Sequence, residues 1–167
     1  FDAFGSSMTS VGDLDGDGIN DFAVGADFDN YRGAVYVLLL KADGTVKSTT
    51  KIAHQTNGGP TLTISDYFGS SLTSVGDLDG DGINDLAVGA RGDDTGGTNR
   101  GAVHVLLMDA DGSVKSSTKI ASGTNGGPVL ADGDFFGRSV TSVGDLDGDG
   151  INDLAVGANF DDTGGAD

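Results

Sequence analysis

The chain has no cysteine and no tryptophan, only two prolines among 167 residues, and no glutamate: all 26 acidic residues are aspartate. Without cysteine, neither disulfides nor thiolate metal sites can hold it together. No apolar run approaches the roughly 20 residues that span a bilayer; the longest, Ala34 to Leu40, is the size of a strand. The exclusive use of Asp is informative. Its short side chain competes for nearby backbone donors, which favours turns and compact oxygen cages over helix interiors. Thirty glycines point the same way, towards many tight turns and little helix.

With nine Lys and Arg, the formal charge is −17 at pH 7. Such a surface excludes nucleic acid as a partner, because phosphate binding depends on Lys and Arg. It is also a large self-repulsion for a small domain, and one that bound cations would relieve. The chain opens on Phe1, with no initiator Met and no signal peptide, which reads as a mature, trimmed or fragmentary chain.

The organising feature is an internal repeat. Phe4-Gly5, Phe68-Gly69 and Phe136-Gly137 each lead through Ser-Val-Gly into the same nine residues, Asp-Leu-Asp-Gly-Asp-Gly-Ile-Asn-Asp. These begin at Asp13, Asp77 and Asp145, separations of 64 and 68 residues. Six residues lie between Ala26 and Gly33 but ten between Ala90 and Gly101, so the extra four belong to a surface connection. Each repeat reads as four strands. In the first they run over roughly 5–11, 21–25, 33–40 and 46–53, with Asp43-Gly44 as the hairpin between the third and fourth. The third is almost continuously apolar, as a strand covered on both faces would be, and the fourth is more polar. The second repeat places the last two strands at 101–108 and 114–121.

Four strands per repeat of this length predict an all-β fold of β-propeller blades, each of four antiparallel strands. The expected organisation is a single segment over 1–167, with repeats of about 1–64, 65–132 and an incomplete 133–167, some two and a half blades. A closed ring needs at least four blades, and seven at this repeat length need roughly 450 residues. The expectation is therefore part of a larger ring, with open blade edges that promote self-association.

The acidic loop predicts a calcium site. Calcium takes six to eight hard oxygen ligands, and alternate carboxylates on a tightly turned loop can converge on one ion. In the first copy the carboxylates are Asp13, Asp15, Asp17 and Asp21, with the carbonyl of Ile19 at position seven and Gly18 permitting the turn. The same roles fall to Asp77, Asp79, Asp81, Ile83 and Asp85, and to Asp145, Asp147, Asp149, Ile151 and Asp153. About three Ca2+ sites would lower the charge from −17 to −11. Position twelve excludes an EF-hand, which needs a bidentate Glu where Val24, Val88 and Val156 stand.

Phe-Gly, the acidic loop, and Val-Gly-Ala followed by Gly-Ala-Val together resemble the FG-GAP repeats of integrin α-subunit propellers and their bacterial relatives, over essentially the whole chain. The proline of the family's Gly-Ala-Pro element is replaced in Gly25-Ala26-Asp27, Gly89-Ala90-Arg91 and Gly157-Ala158-Asn159. The resemblance implies a propeller, usually seven-bladed, with calcium in the loop between the first two strands of a blade. The expected function is a non-catalytic calcium-binding module, extracellular or at the cell surface, in adhesion or in binding a protein or carbohydrate. The alternatives are the propeller part of a secreted hydrolase or lyase, and a purely structural repeat fragment. No Cys nucleophile is present and no Ser, His and Asp set is marked by spacing. Arg91-Gly92-Asp93 spells an adhesion tripeptide within a long loop expected to be exposed, and reads as a chance match. His104 is expected to be a packed or rim residue, and the repeated Phe residues to be blade core.

Overall fold

The computed structural model describes residues 2–162. Among them are ten strands: β1 (Phe4–Gly12), β2 (Asp21–Ala26), β3 (Ala34–Leu40), β4 (Val46–Ile52), β5 (Phe68–Gly76), β6 (Asp85–Ala90), β7 (Ala102–Met108), β8 (Val114–Ala121), β9 (Ser139–Gly144) and β10 (Asp153–Gly157), with one short 3-10 turn at Asp29–Tyr31. They form three antiparallel sheets in the orders β1-β2-β3-β4, β5-β6-β7-β8 and β9-β10. The fold is all-β, two four-stranded propeller blades followed by a two-stranded third.

The two complete blades share one register. Val24 pairs with Tyr36 and Tyr36 with Lys51, while Val88 pairs with His104 and His104 with Lys119. At the hairpin, Asp43 Oδ1 accepts the Thr45 N–H at 2.9 Å and Gly44 takes a positive φ of 80°. The outer strand β4 is largely exposed, as its polar sequence requires.

The core lies between blades. Val35, Val37 and Ile52 of the first sheet pack with Phe68, Leu72, Leu86, Leu106 and Met108 of the second. Val75, Ala87 and Val103 of the second pack with Phe136 and Val140 of the third segment. The repeated Phe-Gly step makes the junction. Phe68 N–H donates to the Arg32 carbonyl at 2.9 Å, and Phe136 N–H to the Arg100 carbonyl at 2.9 Å. Gly33 and Gly101 form parallel bridges with these two Phe residues. Gly25 is glycine for the same reason: a Cβ there would stand 2.1 Å from the Gly69 carbonyl oxygen.

Phe68, Leu72 and Leu86 are 0%, 8% and 0% exposed, but their first-blade counterparts Phe4, Met8 and Phe22 are 59%, 66% and 36% exposed. Identical repeat positions are thus core or surface according to whether another blade covers them. The expectation that the repeated Phe residues are core holds for Phe68 and Phe136 and not for Phe4.

Candidate metal centre

Each acidic loop joins the first strand of a blade to the second. Gly12 and Asp21 are paired across the base of the first loop, and Gly76 and Asp85 across that of the second. The chain turns back through glycines at positive φ, Gly16 at 76° and Gly18 at 88°. The position-one carboxylate organises the turn. Asp13 accepts the N–H groups of Asp17 at 2.9 Å and Gly18 at 2.8 Å. Asp77 accepts those of Gly80, Asp81 and Gly82, and Asp145 those of Gly148, Asp149 and Gly150. At position five, Asp17, Asp81 and Asp149 each accept the N–H two residues on, from Ile19, Ile83 and Ile151.

The position-nine aspartate ties the loop to the sheet. Asp21 is fully buried; its Oδ2 accepts the Leu14 N–H at 2.9 Å and its Oδ1 the Leu40 N–H at 2.8 Å, at the end of β3. Asp85 repeats this with Leu78 and Met108, both at 2.8 Å. Burial pushes the Asp85 carboxyl above the ordinary Asp range, against the opposing pull of the two N–H bonds. Asp153 accepts from Leu146 at 2.7 Å.

The loops bring carboxylates together in threes. Asp13, Asp15 and Asp17 each place an oxygen within 4.8 Å of the others, as do Asp77, Asp79 and Asp85, and Asp145, Asp147 and Asp153. Asp21, Asp81 and Asp149 are outside these groups. Oxygens bound to calcium at about 2.4 Å lie at most about 4.8 Å apart, so the spacing suits that ion. The donor set is oxygen alone, which suits a hard cation and not a thiophilic one. Val24, Val88 and Val156, where an EF-hand would carry Glu, lie within β2, β6 and β10.

Two groups of residues beside the loops escaped the sequence reading. Lys47 Nζ lies 2.6 Å from Asp15 Oδ2 and 2.9 Å from Asp17 Oδ2. Its bond to Asp17, with the Ile19 N–H, holds that carboxyl below the usual range. Lys115 bonds Asp79 and Asp81 in the same way. Farther along each blade, Lys51 pairs with Asp29, and Lys119 with Asp93. The aspartate of each pair stands three residues after Gly-Ala and the lysine in the fourth strand. Aligning the repeats on those elements would have exposed both pairs, but the four-residue insertion obscures the match.

The tripeptide Arg91-Gly92-Asp93 is not an exposed loop tip, contrary to expectation. Gly92 and Asp93 are buried, and the Arg91 guanidinium lies 4.0 Å over the Tyr67 ring and 3.3 Å from Asp27 Oδ2. The tight packing of the loop on the 63–67 segment accounts for this, because a Cβ on Gly92 would stand 2.0 Å from the Ser65 carbonyl oxygen. His104 is 1% exposed, with neither ring nitrogen hydrogen-bonded, and meets the Phe68 ring edge-on at 5.6 Å between centroids. Burial lowers its pKa to about 4.

Propeller blades whose first two strands are joined by an acidic, oxygen-lined loop define the class. The sequence matches the FG-GAP repeat over residues 4–38, 68–106 and 136–167. The chain belongs to the FG-GAP repeat family. It is 36% identical over 160 residues to integrin alpha-PS5 of Drosophila melanogaster, covering 93% of this chain and 15% of that protein. It is 36% identical over 163 residues to integrin alpha-2 of Mus musculus (93% of this chain, 13% of that protein) and 37% identical over 160 residues to integrin alpha-M of Mus musculus (93% and 13%). The chain spans 12–15% of the length of the curated relatives it matches. Among the described residues, no helix is long and apolar enough to cross a membrane.

Proposed function

We propose that the chain is a calcium-stabilised, non-catalytic propeller module that acts outside the cell or at its surface, in adhesion or in binding a protein or carbohydrate ligand. The carrying observation is the convergence of three carboxylates within 4.8 Å in each acidic loop. Asp13, Asp15, Asp17 and Asp21 hold the first ion with the Ile19 carbonyl. Asp77, Asp79, Asp81, Asp85 and Ile83 hold the second, and Asp145, Asp147, Asp149, Asp153 and Ile151 the third. Calcium neutralises carboxylates that otherwise repel one another, and so clamps the junction of the first two strands. The kinship with integrin alpha chains supports the adhesive and extracellular part of this reading, and millimolar free calcium outside cells suits weak sites of this kind.

The 1–167 segment acts as one unit built from the three repeats. The apolar face formed by Phe4, Met8 and Phe22 suits another blade, from a flanking segment or from a second copy of the chain.

Thermal melting tests the calcium reading. A site filled to 100 times its Kd adds about 2.7 kcal/mol, and 1 kcal/mol moves the melting temperature of a domain this size by about 2–4 °C. Calcium at 10 mM should raise the melting temperature by at least about 5 °C over a chelator control. Equal melting curves in the two conditions would remove calcium from the function. Light scattering with calcium present tests self-association, and a monomeric mass at high protein concentration rejects it.

A further inference from the structure

Each of the first two acidic loops already meets a cation supplied by its own blade. The end of β3 is held to the first loop by the Leu40 N–H on Asp21 Oδ1. Val46 pairs with Leu40 at the start of β4, so the next residue, Lys47, emerges beside the loop. Its Nζ bridges the carboxylates of positions three and five, 2.6 Å from Asp15 and 2.9 Å from Asp17. The second blade repeats every step. Met108 N–H bonds Asp85, Val114 pairs with Met108, and Lys115 Nζ bridges Asp79 and Asp81. Two blades that differ in the length of another loop thus keep the same ammonium on the same two carboxylates. The third loop has the same nine residues, and among the described residues no lysine or arginine forms an ion pair with it.

From this geometry we propose that Lys47 and Lys115 are internal counter-cations that compete with the divalent ion for the first and second loops and set their affinity. The inference rests on the calcium reading above. Without metal, the ammonium offsets the mutual repulsion of the position-three and position-five carboxylates and keeps the loop in its folded course. Metal entry displaces Nζ from those oxygens, and the four-carbon stem lets it withdraw without moving β4 or β8. Part of the attraction between the ion and the loop is spent in breaking the two lysine contacts, and a displaced ammonium nearby still repels the ion. Both effects weaken binding at these two loops and couple metal entry to a side-chain movement on the outer strand.

Calcium titration followed by amide NMR tests this loop by loop, using the N–H groups of Gly18, Gly82 and Gly150, which bond the position-one carboxylates. The variants are Lys47→Met and Lys115→Met, each made singly in the full chain. Lys47→Met should lower the half-saturation concentration at Gly18 by about tenfold and leave that at Gly82 in place; Lys115→Met should do the reverse. The size follows from removing a unit charge that has withdrawn to about 6 Å from a divalent ion in a setting of water-like dielectric. Lys47→Arg and Lys115→Arg, which keep the charge, should stay within about twofold of the parent. Lys47→Gln and Lys115→Gln, which keep a polar side chain, replace any Met variant that loses its dispersed spectrum and should shift in the same direction. Half-saturation concentrations that do not move on removing the charge overturn the lysine role and leave the calcium sites standing. An absence of calcium response in every chain overturns the calcium sites and the lysine role together.

Discussion

The Asn84 side-chain amide donates to the Val11 carbonyl across 3.0 Å, linking the acidic loop of the second blade to the first strand of the first blade. Asn152 makes the same bond to Val75 at 3.1 Å, one blade further on. Position eight of the loop is therefore an inter-blade tie, beside the carboxylates rather than among them. Ser7 and Ser71 add a second tie, their hydroxyls donating to the Gly69 and Gly137 carbonyls at 2.7 and 2.9 Å.

Asn84→Ala should lower stability by about 1–2 kcal/mol, because it leaves the Val11 carbonyl without its donor. Asn84→Asp should cost at least as much, since it turns an acceptor towards that carbonyl. Urea unfolding in chelator reads both effects free of any metal contribution. Parent-like midpoints would show the tie to be energetically idle.

Asp85 holds two N–H groups, those of Leu78 and Met108, and is itself fully buried. Asp85→Ala should cost about 2–4 kcal/mol in chelator, the penalty of leaving two sequestered donors unpaired. Asp85→Asn keeps one acceptor oxygen and should cost about half as much. Chelator melts of the two variants test this order. Equal losses would mean that charge or packing, rather than the paired acceptors, matters at this position.

Gly89 and Gly44 separate close approach from backbone conformation. A Cβ on Gly89 would lie 2.0 Å from the Gly137 carbonyl oxygen, at the seam of the second and third blades. Gly89→Ala should cost about 3 kcal/mol through forced separation of the strands. Gly44 sits at a φ of 80° with open space around it, so Gly44→Ala should cost only about 1–2 kcal/mol. Denaturant midpoints in the reverse order would contradict the assigned blade contact.

His104 makes stability depend on pH. Its pKa is about 4 in the folded chain, lowered by burial, against about 6.5 for an unfolded histidine. Between those values the unfolded state binds the extra proton, so stability rises with pH from about 4 to about 6.5 and is full above that window. The loss on acidification is up to about 3 kcal/mol. His104→Phe, which keeps a ring against Phe68, should flatten that part of the profile in a pH series of melts. A parent-like slope in the variant would assign the dependence to the aspartates instead.

Much of the blade is legible along the chain because it rests on local chemistry. The alternation of the first two strands, the apolar run Ala34–Leu40 and the Asp43-Gly44 turn locate β1 to β4 to within about a residue at each end. The acidic loop is legible for the same reason, since Asp and Gly at fixed spacing impose the turn that gathers the carboxylates. Lys47 and Asn84 escape such a reading. Each acts on a partner brought near by pairing or stacking, Lys47 by the β3–β4 register and Asn84 by the neighbouring blade. Nothing in their own surroundings in the sequence marks either contact.

Sequence alone determined the four-stranded repeat, the place of the acidic loops and the exclusion of an EF-hand, because those follow from periodicity, from which residue types tolerate a left-handed turn, and from Val in place of a bidentate Glu at position twelve. Tertiary structure decided which repeat positions become core. Phe4 and Phe68 occupy the same motif, yet only Phe68 is buried, since burial depends on a second blade lying against that face. The Arg91-Gly92-Asp93 tripeptide went the other way, from apparent surface signal to packed loop, because the 63–67 segment closes over it.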